Sequence, residues 1–169
     1  IDSQDACPES LPGSEIGKNG CMLPSDEDKD GVADETDVCL NSKFGTDVNQ
    51  YGCESEQNIV LKGIRFKSNS DELTHESALI LADLSDRLYL HPYLKLEIAG
   101  HTDNLGDEIY NMDLSNRRAN IVKAFLVEHG IAIDNIKAIG YGQTRPITDN
   151  NSVAKRYINR RVELSIKPE

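Results

Sequence analysis

The chain has 169 residues, 38% of them hydrophobic, enough for one ordinary core and an appendage. No run of about 18 apolar residues is present, which excludes a membrane-crossing helix, and the polar opening IDSQDACPES does not read as a signal peptide. The formal charge is −11, and all of the excess lies at the start: residues 1–57 carry 14 acids and 3 bases, residues 58–169 carry 15 of each. An acidic third without a basic stripe argues against nucleic acid as a partner, and it repels itself unless cations bind it.

The four cysteines, Cys7, Cys21, Cys39 and Cys53, all fall in that third. An even count favours disulfides and an oxidising compartment. A zinc site is the alternative, but no CxxC pair and no histidine accompanies them. The segment also repeats itself: DACPESLPGSEIGKNGC (5–21) lies over DVCLNSKFGTDVNQYGC (37–53) at an offset of 32 residues. Three pairings are possible, and the equal spacing within each copy favours Cys7–Cys21 and Cys39–Cys53.

Between the copies, DEDKDGVADETD (26–37) reads as a twelve-position calcium loop. Asp26, Asp28 and Asp30 fill positions 1, 3 and 5, Gly31 the turn at 6, the Val32 carbonyl position 7, Asp34 position 9 and Asp37 position 12. Hard oxygen ligands at alternate positions with a glycine at the bend suit calcium better than a solvated acidic linker does. An EF-hand is disfavoured, because position 12 is Asp and because Pro24 and Cys39 flank the loop instead of two amphipathic helices. The pattern resembles the thrombospondin type 3 repeat over about residues 1–55, although Leu40 follows Cys39 where that family has proline, and Asn49 follows Val48 where it has aspartate. The resemblance implies a chain wrapped around calcium with little regular secondary structure. Asp2 and Asp5 match Asp34 and Asp37, so the chain is expected to begin inside such a loop, truncated at its start, with a longer array or another domain before Ile1.

From Asn58 the texture changes. NIVLKGIRF alternates as a strand. Ser70 is placed to cap a helix with Asp71 and Glu72 in its first turn; Leu73, Ile80, Leu81, Leu84 and Leu88 form its stripe, and Pro92 ends it. YLKLEIAG is a half-buried strand, followed by the loop HTDNLGDEIYN. The helix MDLSNRRANIVKAFLVEHG shares Leu114, Ile121, Val122, Phe125 and Leu126 on one face. A strand around NIKAIGYG, a loop with Pro146 and the strand RRVELSI complete the order β-α-β-α-β-β. This predicts an α+β domain, a mixed four-stranded sheet with helices on one face, over residues 58–169, after a calcium-binding spacer over 1–57.

Arg118 falls inside the apolar arc of the second helix, where an always-charged guanidinium is costly to desolvate. It needs a carboxylate or an anionic ligand, and Asp103, in the loop leading to this helix, is the natural partner. The bland reading is a structural ion pair. The sharper one is that both groups hold a ligand bearing an amine and a carboxylate, Asp103 taking the ammonium and Arg118 the carboxylate by a two-pronged hydrogen bond.

IAGHTDNLGDEIYNMDLSNRRANIVKAFL, then IGYGQTRPITDN, then NRRVELSI resemble the OmpA C-terminal-like domain from about Ile59 to Lys167. That family binds peptidoglycan non-covalently through the diaminopimelate of the stem peptide, which has a free amino-acid end. The resemblance implies Asp103 and Arg118 as the ligand grip, with Thr102, Asn111, Leu114, Asn69 and Arg160 as further contacts. Arg161 is expected to project to the opposite side of its strand. Gly100, Gly140 and Gly142 are expected to permit tight backbone paths. Calcium is the implied cofactor, and the implied setting is the periplasmic part of a Gram-negative outer-membrane protein, reaching the membrane only through an upstream segment.

Two other readings compete. A hydrolase built on His101, Asp103 and Ser115 lacks a nucleophile elbow, so no enzymatic activity is expected. A protein-interaction module, anchoring a motor or secretion machine on the same fold, differs from a wall binder in not retaining cell-wall fragments.

Overall fold

The computed structural model describes residues 21–54, 58–61, 63–67 and 70–167. The chain divides into two compact units, Ile1–Glu54 and Ser55–Glu169.

The described part of the first unit is irregular. It includes an isolated bridge between Val48 and Glu54. A disulfide joins Cys39 to Cys53 and, with Val38, forms the buried apolar centre. Cys21 is also disulfide-bonded, while its expected partner Cys7 and the first repeat copy lie outside the described residues. Among the described residues of this unit so few apolar groups are buried that their stability rests on the covalent staple and on how the carboxylates are satisfied.

The second unit runs β1 (Asn58–Val60), α1 (His75–Tyr89), β2 (Lys95–Gly100), α2 (Glu108–Glu128), a 3-10 turn (Ile133–Asn135), β3 (Ile136–Gly140), α3 (Val153–Asn159) and β4 (Val162–Lys167). Strand β2 pairs parallel with β3, Leu96 opposite Ile136, and antiparallel with β4, Ile98 opposite Leu164. These three strands form the mixed heart of the sheet, and β1 adds three residues along the open edge of β4.

The core follows strand alternation and helix periodicity. Leu96 and Ile98 of β2, Val162 and Leu164 of β4, and Leu81, Leu84 and Leu88 of α1 are buried with Leu114, Ala119, Val122 and Leu126 of α2. Each large aliphatic side chain so buried contributes roughly 1.5–3 kcal/mol. Two glycines decide how closely α2 approaches the sheet. A Cβ on Gly100 would sit 2.2 Å from the Ser115 carbonyl oxygen, and one on Gly140 would sit 2.3 Å from the Asn116 nitrogen. Helix α2 therefore lies directly on the ends of β2 and β3, and from it Arg118 reaches the segment before α1, at the Ser70 carbonyl.

Four expectations need correction. The first strand is shorter than NIVLKGIRF; after Leu61 the chain turns and forms only a bridge between Phe66 and Leu73. Thr74, not Ser70, caps α1, accepting the Ser77 N–H at 3.3 Å, because Ser70 belongs to the turn closed by Lys67 N–H on the Glu72 carbonyl. The helix stripes are also narrower: Ile80 and Ile121 are 39% and 38% exposed, and Ser77 and Ala119 take the buried places. Finally, the segment between β3 and β4 contains α3, capped by Ser152, so the order is β-α-β-α-β-α-β.

Candidate functional site

The loop after β2 is fixed by its backbone. His101 N–H donates to the Arg161 carbonyl at 3.0 Å and Thr102 N–H to the Gly142 carbonyl at 2.9 Å. Asn111, 3% exposed, donates through Nδ2 to the Leu105 carbonyl and to Gln143 Oε1, both at 3.0 Å, and clamps the loop from α2. The Thr102 hydroxyl donates to the Asp103 carbonyl at 2.9 Å. Thr102, Asn111 and Leu114 are all buried and shape the loop from behind.

That frame presents the Asp103 carboxylate. One oxygen accepts the Leu105 N–H at 3.0 Å, and the other is 2.5 Å from Arg160 Nη1. The partner of Asp103 is thus Arg160, not Arg118. Arg160 follows α3, and its place is set by Asn159, which is fully buried. Asn159 Oδ1 accepts the N–H groups of Ile147 and Thr148, and Nδ2 donates to the Thr148 carbonyl and Asn150 Oδ1. One side chain ties the preceding loop to the end of α3 with all its hydrogen-bonding capacity used.

Arg118 is half-buried and has no carboxylate within ion-pair distance among the described residues. Its Nε and Nη2 both donate to the Ser70 carbonyl, at 3.3 and 3.1 Å, and its guanidinium carbon lies 4.8 Å from the centre of the Phe66 ring. Burial pushes its pKa down from the usual arginine value, partly offset by Tyr110 and Asp71. A main-chain carbonyl and an aromatic face steady the cation without neutralising it. Arg118 and Arg160 open onto one cleft of about 760 Å³, walled by Ile64, Phe66, Ile147, Tyr157 and Ile158. Asn69, expected as a further contact, lies outside the described residues.

Arg161, which follows Arg160, donates through Nε to Glu163 Oε1 at 2.6 Å, through Nη1 to the Asn159 carbonyl at the end of α3 at 3.3 Å and through Nη2 to the Arg145 carbonyl at 3.1 Å, and it lines the same cleft as Arg118 and Arg160. His101, 3% exposed, places Nε2 3.7 Å from Glu163 Oε2 and stacks on Tyr141. The neighbouring imidazole and then the Arg161 guanidinium hold the Glu163 carboxyl at about 2. Ser115 is taken up differently: its hydroxyl donates to the Met112 carbonyl and accepts the Gly142 N–H. Both of its bonds go to main chain, so His101, Asp103 and Ser115 do not assemble as a triad.

In the first unit, carboxylate oxygens of Asp26, Asp28 and Asp30 lie within 4.8 Å of one another. Asp26 Oδ1 and Asp28 Oδ1 are buried without a hydrogen-bond partner. Ser42 adds its hydroxyl, 3.0 Å from Asp28 Oδ2 and 2.8 Å from Asp30 Oδ2. Gly31 adopts φ +95° with its N–H on Asp26 Oδ2, and Val32 N–H bonds Asp30 Oδ1. Asp34 and Asp37 stand outside this triad. Asp34 Oδ1 accepts the Glu27 N–H, and the buried Asp37 accepts the Cys39 N–H. Three like charges and a hydroxyl leave negative potential that a hard cation fits chemically.

The residues that sequence periodicity missed are those whose role is aromatic or main-chain: Phe66, Tyr157, the Ser70 carbonyl and Ser42. SVAKRYIN has a serine cap as its one local signal for α3.

Among known proteins, the OmpA family matches residues 65–160, more than half of the chain. The outer membrane porin F of Pseudomonas aeruginosa is 35% identical over 148 residues, covering 86% of this chain and 42% of that protein. The peptidoglycan-binding protein ArfA of Mycobacterium tuberculosis is 38% identical over 114 residues, covering 67% of this chain and 35% of that protein. The crystal structure of the peptidoglycan-associated lipoprotein from Burkholderia pseudomallei superposes with a TM-score of 0.58 at 26% identity, over 62% of this chain and 88% of that one. The chain spans less than half the length of both sequence relatives. No helix among the described residues is long and apolar enough to cross a membrane.

Proposed function

The chain belongs to the OmpA family, and on that premise we propose that its second unit binds peptidoglycan non-covalently, gripping the free amino-acid end of diaminopimelate in the stem peptide. The observation that supports this most is Arg118, a half-buried guanidinium steadied by a carbonyl and a ring but without a carboxylate at ion-pair distance among the described residues. Its remaining N–H groups suit the ligand carboxylate. The ligand ammonium goes to Asp103, displacing Arg160, which then stands beside the incoming peptide. Such a unit anchors a periplasmic or outer-membrane protein to the cell wall without chemistry.

The test is co-sedimentation with purified sacculi. D103A and R118A each weaken pelleting by about 30-fold or more, as loss of one partner of a buried charged pair predicts, and free diaminopimelate competes with the natural chain. Pelleting indifferent to both substitutions and to the competitor overturns this reading. No pelleting at all favours the protein-interaction module.

For the first unit, the proposal is a calcium-stiffened spacer of the thrombospondin type 3 kind, with Asp26, Asp28 and Asp30 as carboxylate ligands. Its support is the pair of buried carboxylate oxygens without hydrogen-bond partners. Bound calcium would supply the positive charge the triad lacks. Calorimetry on the oxidised chain is expected to detect calcium binding that D28N weakens, and saturation near 100-fold over Kd adds about 2.7 kcal/mol to this unit's stability. Absence of a calcium heat and of any shift in its unfolding overturns the proposal.

A further inference from the structure

The cleft beside Arg118 is larger and more positive than one amino-acid end requires. Its volume is about 760 Å³, and four arginines line it: Arg65, Arg118, Arg160 and Arg161. Arg160 is ion-paired with Asp103 and Arg161 with Glu163, while Arg65 and Arg118 have no carboxylate within ion-pair distance among the described residues. Arg65 is exposed, and its guanidinium carbon lies 5.2 Å from the centre of the Tyr157 ring; that of Arg160 lies 5.7 Å from the same ring. Tyr157 thus holds two cations at one edge of the cleft. The Arg65 backbone is fixed as well: its N–H donates to Ser77 Oγ at 2.7 Å, and its carbonyl accepts the Thr74 N–H at 3.1 Å. Glu76 feels the charge of Arg65 but is not ion-paired with it; an exposed arginine on a pinned backbone, held on an aromatic face and outside any ion pair among the described residues, is preorganised for an anion. The wall between Arg65 and Arg118 is apolar, formed by Ile64, Ile147 and Ile158.

We propose that this cleft takes a second carboxylate of the same stem peptide, beyond the amino-acid end of diaminopimelate, and that Arg65, oriented by Tyr157, receives it. The inference rests on the binding reading above. A stem peptide offers two groups of this chemistry next to diaminopimelate: the free α-carboxylate of the γ-linked glutamate, and the terminal carboxylate of an alanine whose methyl suits the isoleucine wall. Arg65 then makes the protein read the peptide, where Asp103 and Arg118 read only its amino-acid end.

The test is calorimetry on the full 169-residue chain with four probes: free meso-diaminopimelate, the L-Ala-γ-D-Glu-meso-diaminopimelate-D-Ala peptide, and that peptide amidated either at the glutamate α-carboxylate or at its C-terminus. The peptide is expected to bind about tenfold tighter than free diaminopimelate, as one further charge-assisted pair provides. One of the two amidations removes this preference and identifies which carboxylate is read. R65Q lowers the peptide-to-diaminopimelate affinity ratio to near one. Y157L lowers it by about threefold and Y157F restores it, since the aromatic face and not the hydroxyl orients the cation. A ratio unchanged by R65Q, or by both amidations, overturns the inference while leaving the diaminopimelate grip intact. Failure of the natural chain to bind either free diaminopimelate or the peptide overturns the grip and the inference with it.

Discussion

The two units handle buried acid in opposite ways. In the second, each buried carboxylate among the described residues is met by a guanidinium of the same unit: Asp103 by Arg160 and Glu163 by Arg161. In the first, Asp26, Asp28 and Asp30 crowd one another with a serine hydroxyl between them. The difference teaches what each unit asks of its surroundings. A carboxylate already paired is stable in the empty protein, so a ligand must compete for it and selectivity is gained by exchange. A cluster of like charges is destabilising by itself, so its stability depends on an outside cation. The apolar interiors differ in the same sense: the second unit buries a sheet and two helices, while the first centres on one described disulfide and its neighbours.

Breaking each unit's own device sharpens this contrast. The largest effect is expected from replacing Cys39 and Cys53 with serine, which opens a 14-residue loop and costs the first unit about 3 kcal/mol; chemical denaturation should show its transition move while that of the second unit stays. A shift of both transitions together would contradict the division into separate cores. Next is N159A, which strands the N–H groups of Ile147 and Thr148 and costs the second unit about 2–3 kcal/mol. Because Asn159 ties the preceding loop to the end of α3 from which Arg160 follows, sacculus binding by N159A should weaken even where the protein remains folded, a result checked by pelleting below its unfolding transition.

The smallest effect concerns pH. The Glu163 carboxyl is held at about 2 in the fold against 4.5 ordinarily, so its contribution is fully present above about 4.5 and is lost as pH falls from there toward 2. Allowing for solvent screening, roughly 2 kcal/mol of second-unit stability disappears across that window. E163Q should flatten this part of the stability curve, and acid titration of both proteins followed by circular dichroism measures it. Equal acid sensitivity in the two proteins would locate the titrating group elsewhere.

Much of this was legible in the chain itself. The alternation of Leu96 and Ile98 specifies β2, and the glycines at 100 and 140 mark where a backbone must approach. The equal spacing of cysteines anticipates the Cys39–Cys53 bond, and the aspartates at 26, 28 and 30 announce a convergent cluster. Arg118 was legible as an anomaly, a cation on an apolar face, but its neighbours were not. Its partner is the carbonyl of Ser70, and a carbonyl leaves no trace in residue identity. Nor was α3 legible, because only Asn159 of its seven residues is buried and no apolar stripe reports it.

Residue order by itself therefore determined what repeats locally: strand alternation, helix period, loop register and the uneven placement of charge. These follow from short-range geometry, in which each residue's environment is set within a few positions along the chain. The tertiary structure alone decided which charges meet. Asp103 and Arg160 are 57 positions apart, and α3, with its loop tied by Asn159, carries Arg160 to an acid that Arg118 had seemed to own. Pairing at that range depends on where two elements dock, and docking is decided by the shape and close packing of the whole core.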